Sequence, residues 1–360
     1  MDEKSLEEWV TFGLSALFLA DPDMVAQSLW KIADDSIHKT VTRDELIRTL
    51  ERQGFKLRRL TNSEAAPALI AQVTDRYLDG ARRKLIQKTL IPRPATQTLL
   101  SRLQETKASD SVLTGTAGGG KTGCIIELVD ELRRREVPVA VLAFRLDRLK
   151  PVSNTAELGQ QLGLEESPAL VLAAAAKGGE AVLIVDQLDA ISTASGRNSD
   201  FFDAVEGLLN EARGLRGQVN LHVIVVCREF DWQNDYRLRR LLSNQHAKVE
   251  VGEFSAEEVK AVLEAEGFRV NLFHSSQLTL LRLPQNLSLF LEARFDPSKS
   301  PRFNTAKELF DRYWDEKRRA VAARTTPLPD QWGDYSSDDR RDDDDTTALS
   351  SQRKIRSVFR

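Results

Sequence analysis

Residues 115–122 read G-T-A-G-G-G-K-T and satisfy the spacing G-x-x-x-x-G-K-[ST] of a phosphate-binding loop. The chemistry such a stretch can do is capture of a polyphosphate. Its glycines let the backbone turn tightly and aim N–H groups inward, at the positive end of the helix that follows. Gly115, Thr116, Ala117, Gly118, Gly119, Gly120, Lys121, Thr122 and Gly123 are the candidate cradle. Lys121 is placed to reach the β- and γ-phosphates, and Thr122 to offer a hydroxyl to Mg²⁺, a hard cation that prefers oxygen ligands. The bland alternative is a glycine-rich turn with a stray lysine.

A second constellation lies downstream, where the apolar run 181–185 ends in Asp186-Gln187-Leu188-Asp189. A carboxylate at the C-terminal end of a buried parallel strand lies at the sheet edge where open α/β folds bind ligands. Asp186 is therefore the candidate magnesium residue, acting directly or through a water. The next position is glutamine, where many such ATPases carry a glutamate, so Asp189 is the nearest carboxylate able to orient an attacking water. Alternatively, the two acids merely end a strand and cap the next helix. A third run, 221–227, ends in Arg228, whose fixed guanidinium suits charge developing in phosphoryl transfer. Its alternative is a surface arginine paired with Glu229 or Asp231.

These residues need elements to hold them. Residues 111–114 form a short apolar run ending at Gly115, and Cys124, Ile125, Leu128, Val129 and Leu132 repeat at helical spacing. Residues 137–144 are apolar and β-branched, so the order is strand, loop, helix, strand, the signature of a parallel sheet. The expected fold class is α/β, a P-loop NTPase parallel sheet flanked by helices. Leu46, Ile47 and Leu50, then Leu69, Ile70, Val73 and Tyr77, predict a mostly helical region over 1–90. Ser255 and Glu258 have the spacing of a capping box, and further helices are expected after Pro284 and over 305–323, where Leu309, Phe310 and Trp314 are expected to share a packing face.

The octet, V-L-I-V-D-Q-L-D at 182–189, V-I-V-V-C-R at 223–228 and L-R-L-P-Q-N at 281–286 together resemble the STAND class of P-loop ATPases, NACHT-like signalling proteins related to the AAA+ group. The resemblance spans about residues 91–291. It implies ATP or ADP with Mg²⁺ as cofactors, Asp186 and Asp189 serving metal and water, and Arg228 sensing phosphate. It implies that Pro284 packs near adenine, although Arg282 stands where the class has glycine. It implies that I-P-R-P at 91–94, Arg93 included, borders the nucleotide. The segments after 254 resemble the small helical lid of that class. Members normally continue into a winged-helix domain and a repeat array, so the chain is expected to be a shortened or altered-end version of a longer one. The expected division is 1–90 helical, 91–253 ATPase core, 254–326 lid and 327–360 a disordered charged tail.

Composition bounds the rest. With 41% hydrophobic residues the 360-residue chain can build a substantial core, and a net charge of −3 gives no global argument for nucleic acid. Two cysteines, Cys124 and Cys227, offer no disulfide framework and fit a reducing cytoplasm. The apolar run 9–20 follows an acidic segment and is too short to span a bilayer, so neither an export signal nor a membrane anchor is expected. Arg82, Arg83, Lys84 and Lys88 form a solvated face or touch an anionic partner. The tail carries Asp338, Asp339 and 342–345 against Arg353, Lys354, Arg356 and Arg360, with almost no apolar residues to offset the entropy of ordering it.

The functional expectation is an ATP-dependent signalling switch acting through a protein partner or self-assembly, in the class's setting of bacterial antiphage defence or regulation. A nucleotide-dependent scaffold with negligible hydrolysis is the alternative that Gln187 keeps open. A small-molecule kinase is a third, with Arg237, Arg239 and Arg240 as its lid arginines, whereas no N-K-x-D motif supports a GTPase.

Overall fold

The computed structural model describes residues 14, 18, 20–37, 40–55, 64–86, 90–105, 108–193, 201–242 and 246–322. The acidic and basic tail, Lys88 and most of the run 9–20 lie outside these. Of that run, Leu14 and Phe18 are buried in a small cluster with Val25 and Leu50.

Local signals start the first helices. Asp21 accepts from Asp23 N (2.9 Å) at the head of α1 (Pro22–Asp35), and a Thr42–Glu45 capping box opens α2 (Arg43–Arg52). Then follow α3 (Ala66–Arg82), α4 (Pro94–Glu105), β1 (Asp110–Thr114), α5 (Lys121–Arg133), β2 (Ala140–Arg145), α6 (Thr155–Leu162) and α7 (Pro168–Ala176). The chain continues through β3 (Glu180–Asp186), α8 (Phe202–Gly214), β4 (Asn220–Val226), α9 (Glu229–Asn234), α10 (Tyr236–Leu241) and β5 (Ala247–Glu250). The last helices are α11 (Ala256–Ala265), α12 (Ser275–Leu281), α13 (Pro284–Glu292) and α14 (Ala306–Ala322).

The five strands form one all-parallel sheet in the order β2-β3-β4-β1-β5, so β4 lies between the strands that carry the two phosphate-site motifs. Helices cover both faces, which is why β3 carries the unbroken apolar run A-V-L-I-V and β4 over 221–226 is apolar on both faces apart from His222. Alternate residues serve opposite layers. Ala181, Leu183 and Val185 of β3 join the core made with α7 and α8, while Val182 and Ile184 join the one made with α5 and α4.

The edge strand β2 is covered by α3, which contributes to both cores. Ala66, Ile70 and Val73 belong to one, and Tyr77, Leu78 and Ala81 to the other. Where the helix crosses the edge, Thr74 Oγ1 donates to Val141 O (2.9 Å) and accepts from Ala143 N (3.2 Å). A buried threonine thus satisfies a strand edge that would otherwise expose its ladder groups.

The described residues divide into two compact units, those up to 262 with 281–288, and 263–280 with 289–322. The boundary expected after residue 90 falls inside the first unit, because α3 is built into the sheet. Within the second unit, Phe290 stacks on Phe295 (centroids 4.7 Å apart) and tilts against Phe303 and Phe268. Gln277 Nε2 donates to Pro301 O and Phe303 O, both at 2.9 Å, and fastens this cluster to the chain leading into α14. The packing face expected on α14 is corrected here. Leu309 is fully buried, but Phe310 is 51% and Trp314 38% exposed. Neighbouring helix positions point about 100° apart, so Phe310 cannot share the buried side of Leu309 and instead stacks on Trp314 one turn along.

Candidate functional site

The loop after β1 runs directly into α5, and two of its residues adopt backbone that a side chain resists. Gly118 has φ +71° and Gly120, the N-cap of α5, φ +91°. Gln285 seats against this loop: its backbone N donates to Gly118 O (3.1 Å), and a Cβ on Gly118 would overlap the Gln285 side chain. A Cβ on Gly115 would lie 2.9 Å from Val251 O, where the chain leaves β5. Glycine is therefore required for turn and for approach alike.

Lys121 is 7% exposed, and its Nζ donates to Gly115 O (2.9 Å) and Thr116 O (2.8 Å). Burial pulls its pKa down, opposed by the carboxylates of Asp189 and Asp186. A partly desolvated ammonium held over a glycine loop and facing two acids is a strong point of attraction for phosphate oxygens.

Asp186 ends β3 fully buried. Its Oδ1 accepts from Gln187 N (2.8 Å) and its Oδ2 from the Tyr77 hydroxyl (3.1 Å). Arg145 lies opposite it in the β2–β3 register. Burial raises the Asp186 carboxyl above its usual range, while Arg145, Tyr77 and Gln187 oppose that shift. Gln187 itself adopts the left-handed conformation (φ +62°), which for a non-glycine residue costs about 1–2 kcal/mol. That bend turns the chain into the short 3₁₀ segment Leu188–Ile191 and carries Asp189 to a position 1% exposed.

Asp189 Oδ2 lies 3.1 Å from Arg228 Nε. The two residues expected to orient water and to sense phosphate are thus the halves of one ion pair joining the ends of β3 and β4. Glu229 is engaged elsewhere, its carboxylate on Lys248 (2.6 Å) and its N–H on Gly115 O (3.1 Å).

The residues transferred from the resemblance lie in the same unit. Pro284 Cγ sits 3.4 Å from where a Cβ on Gly120 would be. Arg93 is buried, its guanidinium donating to Gly252 O and stacking 4.4 Å over the Phe254 ring. Arg282, the residue in place of glycine, donates from Nε to Phe254 O (2.8 Å), and Phe254 N donates back to Arg282 O (2.8 Å). Arg93, Phe254 and Arg282 form one tie between the segment before α4 and the turn before α13. Of the arginines proposed for a kinase lid, Arg237 is held by Asp235 (3.3 Å) and Arg239 donates to Gln233 O (2.8 Å).

Tyr77 is the site residue that sequence reasoning missed. Its place on the apolar face of α3 was legible, and a tyrosine on a buried face needs a partner for its hydroxyl. Nothing local points to an aspartate 109 positions later.

Fold and site together define a P-loop NTPase architecture, and the residues present fit a magnesium nucleotide. The fit rests on a cradle that side chains would fill, a buried lysine, a threonine hydroxyl beside it and a buried strand-end carboxylate. No family model and no curated protein matches the chain. Among solved structures, it is similar to the ORC1 protein of Aeropyrum pernix, determined in complex with DNA, at 17% identity over 67% of this chain and 70% of that one, with a TM-score of 0.41. It is also similar to a Walker-type ATPase of Pyrococcus abyssi (14% identity, 67% and 75% covered, TM-score 0.41). A third is domain III of the Thermotoga maritima replication initiation protein DnaA (12%, 64% and 96%, TM-score 0.38). Likeness at this level leaves ligand and task to be argued from the chain's own residues.

Proposed function

We propose that this chain is a Mg²⁺-dependent P-loop ATPase of STAND type, in which nucleotide state switches a conformation or an assembly. The observation that carries the reading is the convergence at one sheet edge of a glycine cradle, Lys121, buried Asp186 and the Asp189–Arg228 pair. Gly115 to Gly123 hold the polyphosphate through backbone N–H groups, and Lys121 exchanges its loop carbonyls for phosphate oxygens. Thr122 and Asp186 hold the metal, which when bound neutralises charge on the transferring phosphate. Arg228 can leave Asp189 for the γ-phosphate, which frees a carboxylate to orient water. Arg93 and Pro284 border the base. Protein partners or self-association transmit the state, in the cytoplasm and away from a membrane; no residue pattern points to nucleic acid, and a role in bacterial antiphage defence or regulation rests on the resemblance alone.

A second reading, a nucleotide-dependent scaffold that hydrolyses negligibly, is favoured by Gln187 after the metal carboxylate and by the hold of Arg228 on Asp189. Nucleotide retained by the purified protein, measured with phosphate release in the presence and absence of Mg²⁺, separates the two. Bound nucleotide with metal-dependent release supports the ATPase, bound nucleotide without release supports the scaffold, and no bound nucleotide contradicts both.

A further inference from the structure

We propose that Tyr77 is a positioning residue for the metal carboxylate, and that through it the seating of α3 on the sheet edge is coupled to the state of the nucleotide site. This rests on the ATPase reading and adds to it the element that senses occupancy.

Three observations converge. The Tyr77 hydroxyl donates to Asp186 Oδ2 across 3.1 Å while Gln187 N holds Oδ1, so each oxygen of a fully buried carboxylate has a donor that fixes its rotation. Donors behind a metal-binding carboxylate orient it and tune its affinity, and their loss typically weakens metal binding about 10- to 100-fold. Second, Tyr77 lies one helical turn from Thr74, which is locked to both Val141 O and Ala143 N of the edge strand. That hold fixes where the hydroxyl meets Asp186, and loosening it lets the hydroxyl shift relative to the carboxylate. Third, α3 packs into both cores of the sheet, with Ile70 and Val73 in one and Leu78 and Ala81 in the other, so its seating is fixed along most of its length. A change at the carboxylate is felt along the helix, and by linkage a pull on the helix is felt at the metal.

The test is a Mg²⁺ titration of ATP binding to the full chain, comparing wild type, Tyr77→Phe and Thr74→Val. Tyr77→Phe keeps the ring and its packing and removes only the donor. The expected result is a half-saturating Mg²⁺ concentration raised about tenfold in Tyr77→Phe, with unchanged affinity for ATP in excess chelator, and a smaller shift in the same direction for Thr74→Val. A Tyr77→Phe midpoint within about twofold of wild type would overturn the proposal, since second-position donors act more strongly than that. An equal loss of affinity with and without Mg²⁺ would overturn it too, because that marks general damage. If wild type binds Mg²⁺ and ATP normally in either case, only the role of Tyr77 falls. A wild-type protein with no affinity for ATP would remove the ATPase reading together with this one.

Discussion

Asp186 and Asp189 sit three residues apart on one buried turn, yet their surroundings differ, and so does the work proposed for each. Asp186 faces Tyr77 and Gln187 N, donors that leave lone pairs for a metal or its water, whereas Asp189 is tied to Arg228. Asp186→Asn is expected to weaken Mg²⁺-dependent ATP binding, with little change in chelator. Asp189→Asn keeps the shape but drops the charge that holds Arg228, so affinity should persist while the turnover rate falls at least about tenfold. Calorimetry and phosphate release measure the two effects, and wild-type turnover in Asp189→Asn would make that carboxylate purely structural. At this scale the sequence was legible where chemistry demands residue types at fixed spacing, as in the octet and in D-x-x-D. The Arg228–Asp189 pair and the Tyr77–Asp186 bond were not legible, because each joins separate elements and no local pattern marks a distant partner.

Elements were readable to the extent that burial left a one-dimensional trace. The runs at β3 and β4 are largely apolar because both faces of the sheet are covered. In contrast, β5 reads A-K-V-E with only Val249 buried, too short and too polar to stand out as an edge strand. The helix α7, P-A-L-V-L-A-A-A-A, is buried over most of its length and so shows no amphipathic period. A polar residue inside a core strand is readable in type but not in consequence, and His222 of β4 is the case here. It is fully buried, with Ser109 N donating to its Nδ1 (3.3 Å), which keeps that nitrogen an acceptor. Burial, with Arg216 and Arg135 nearby, pushes its pKa down to about 4. Below the unfolded value of about 6.5 the unfolded chain takes up a proton that the folded one refuses, so stability is full above that pH and falls towards pH 4. The loss is about 3 kcal/mol. Denaturant unfolding of His222→Gln, which retains an acceptor for Ser109, should show a flatter profile between pH 6.5 and 4. An unchanged profile would place the acid sensitivity in other groups.

At the scale of the whole molecule, composition predicted a charged end with no means of packing, and every phosphate-site motif precedes it. Deleting residues 328–360 is expected to leave ATP affinity and melting temperature nearly unchanged. Ending the chain at residue 300 is different, because it removes Phe303 and Leu309 from the second unit and strips Gln277 of both its carbonyl acceptors. Losing two buried large side chains should lower the melting temperature by at least about 5 °C. Equal behaviour of the two truncations would place the end of the folded chain before residue 300. The seating of α3 was not legible, since it looks like any amphipathic helix until its threonine is seen on the sheet edge.

The central claim is that residues 115–123 bind a nucleoside triphosphate through Lys121. Calorimetric titration of ATP with Mg²⁺ into wild-type and Lys121→Ala protein tests it directly, with melting curves to show that both are folded. The account predicts saturable binding by wild type and a loss of at least about 100-fold in the variant, because the substitution removes the buried charge while leaving the loop backbone in place. Equal affinity in a folded Lys121→Ala protein would contradict it.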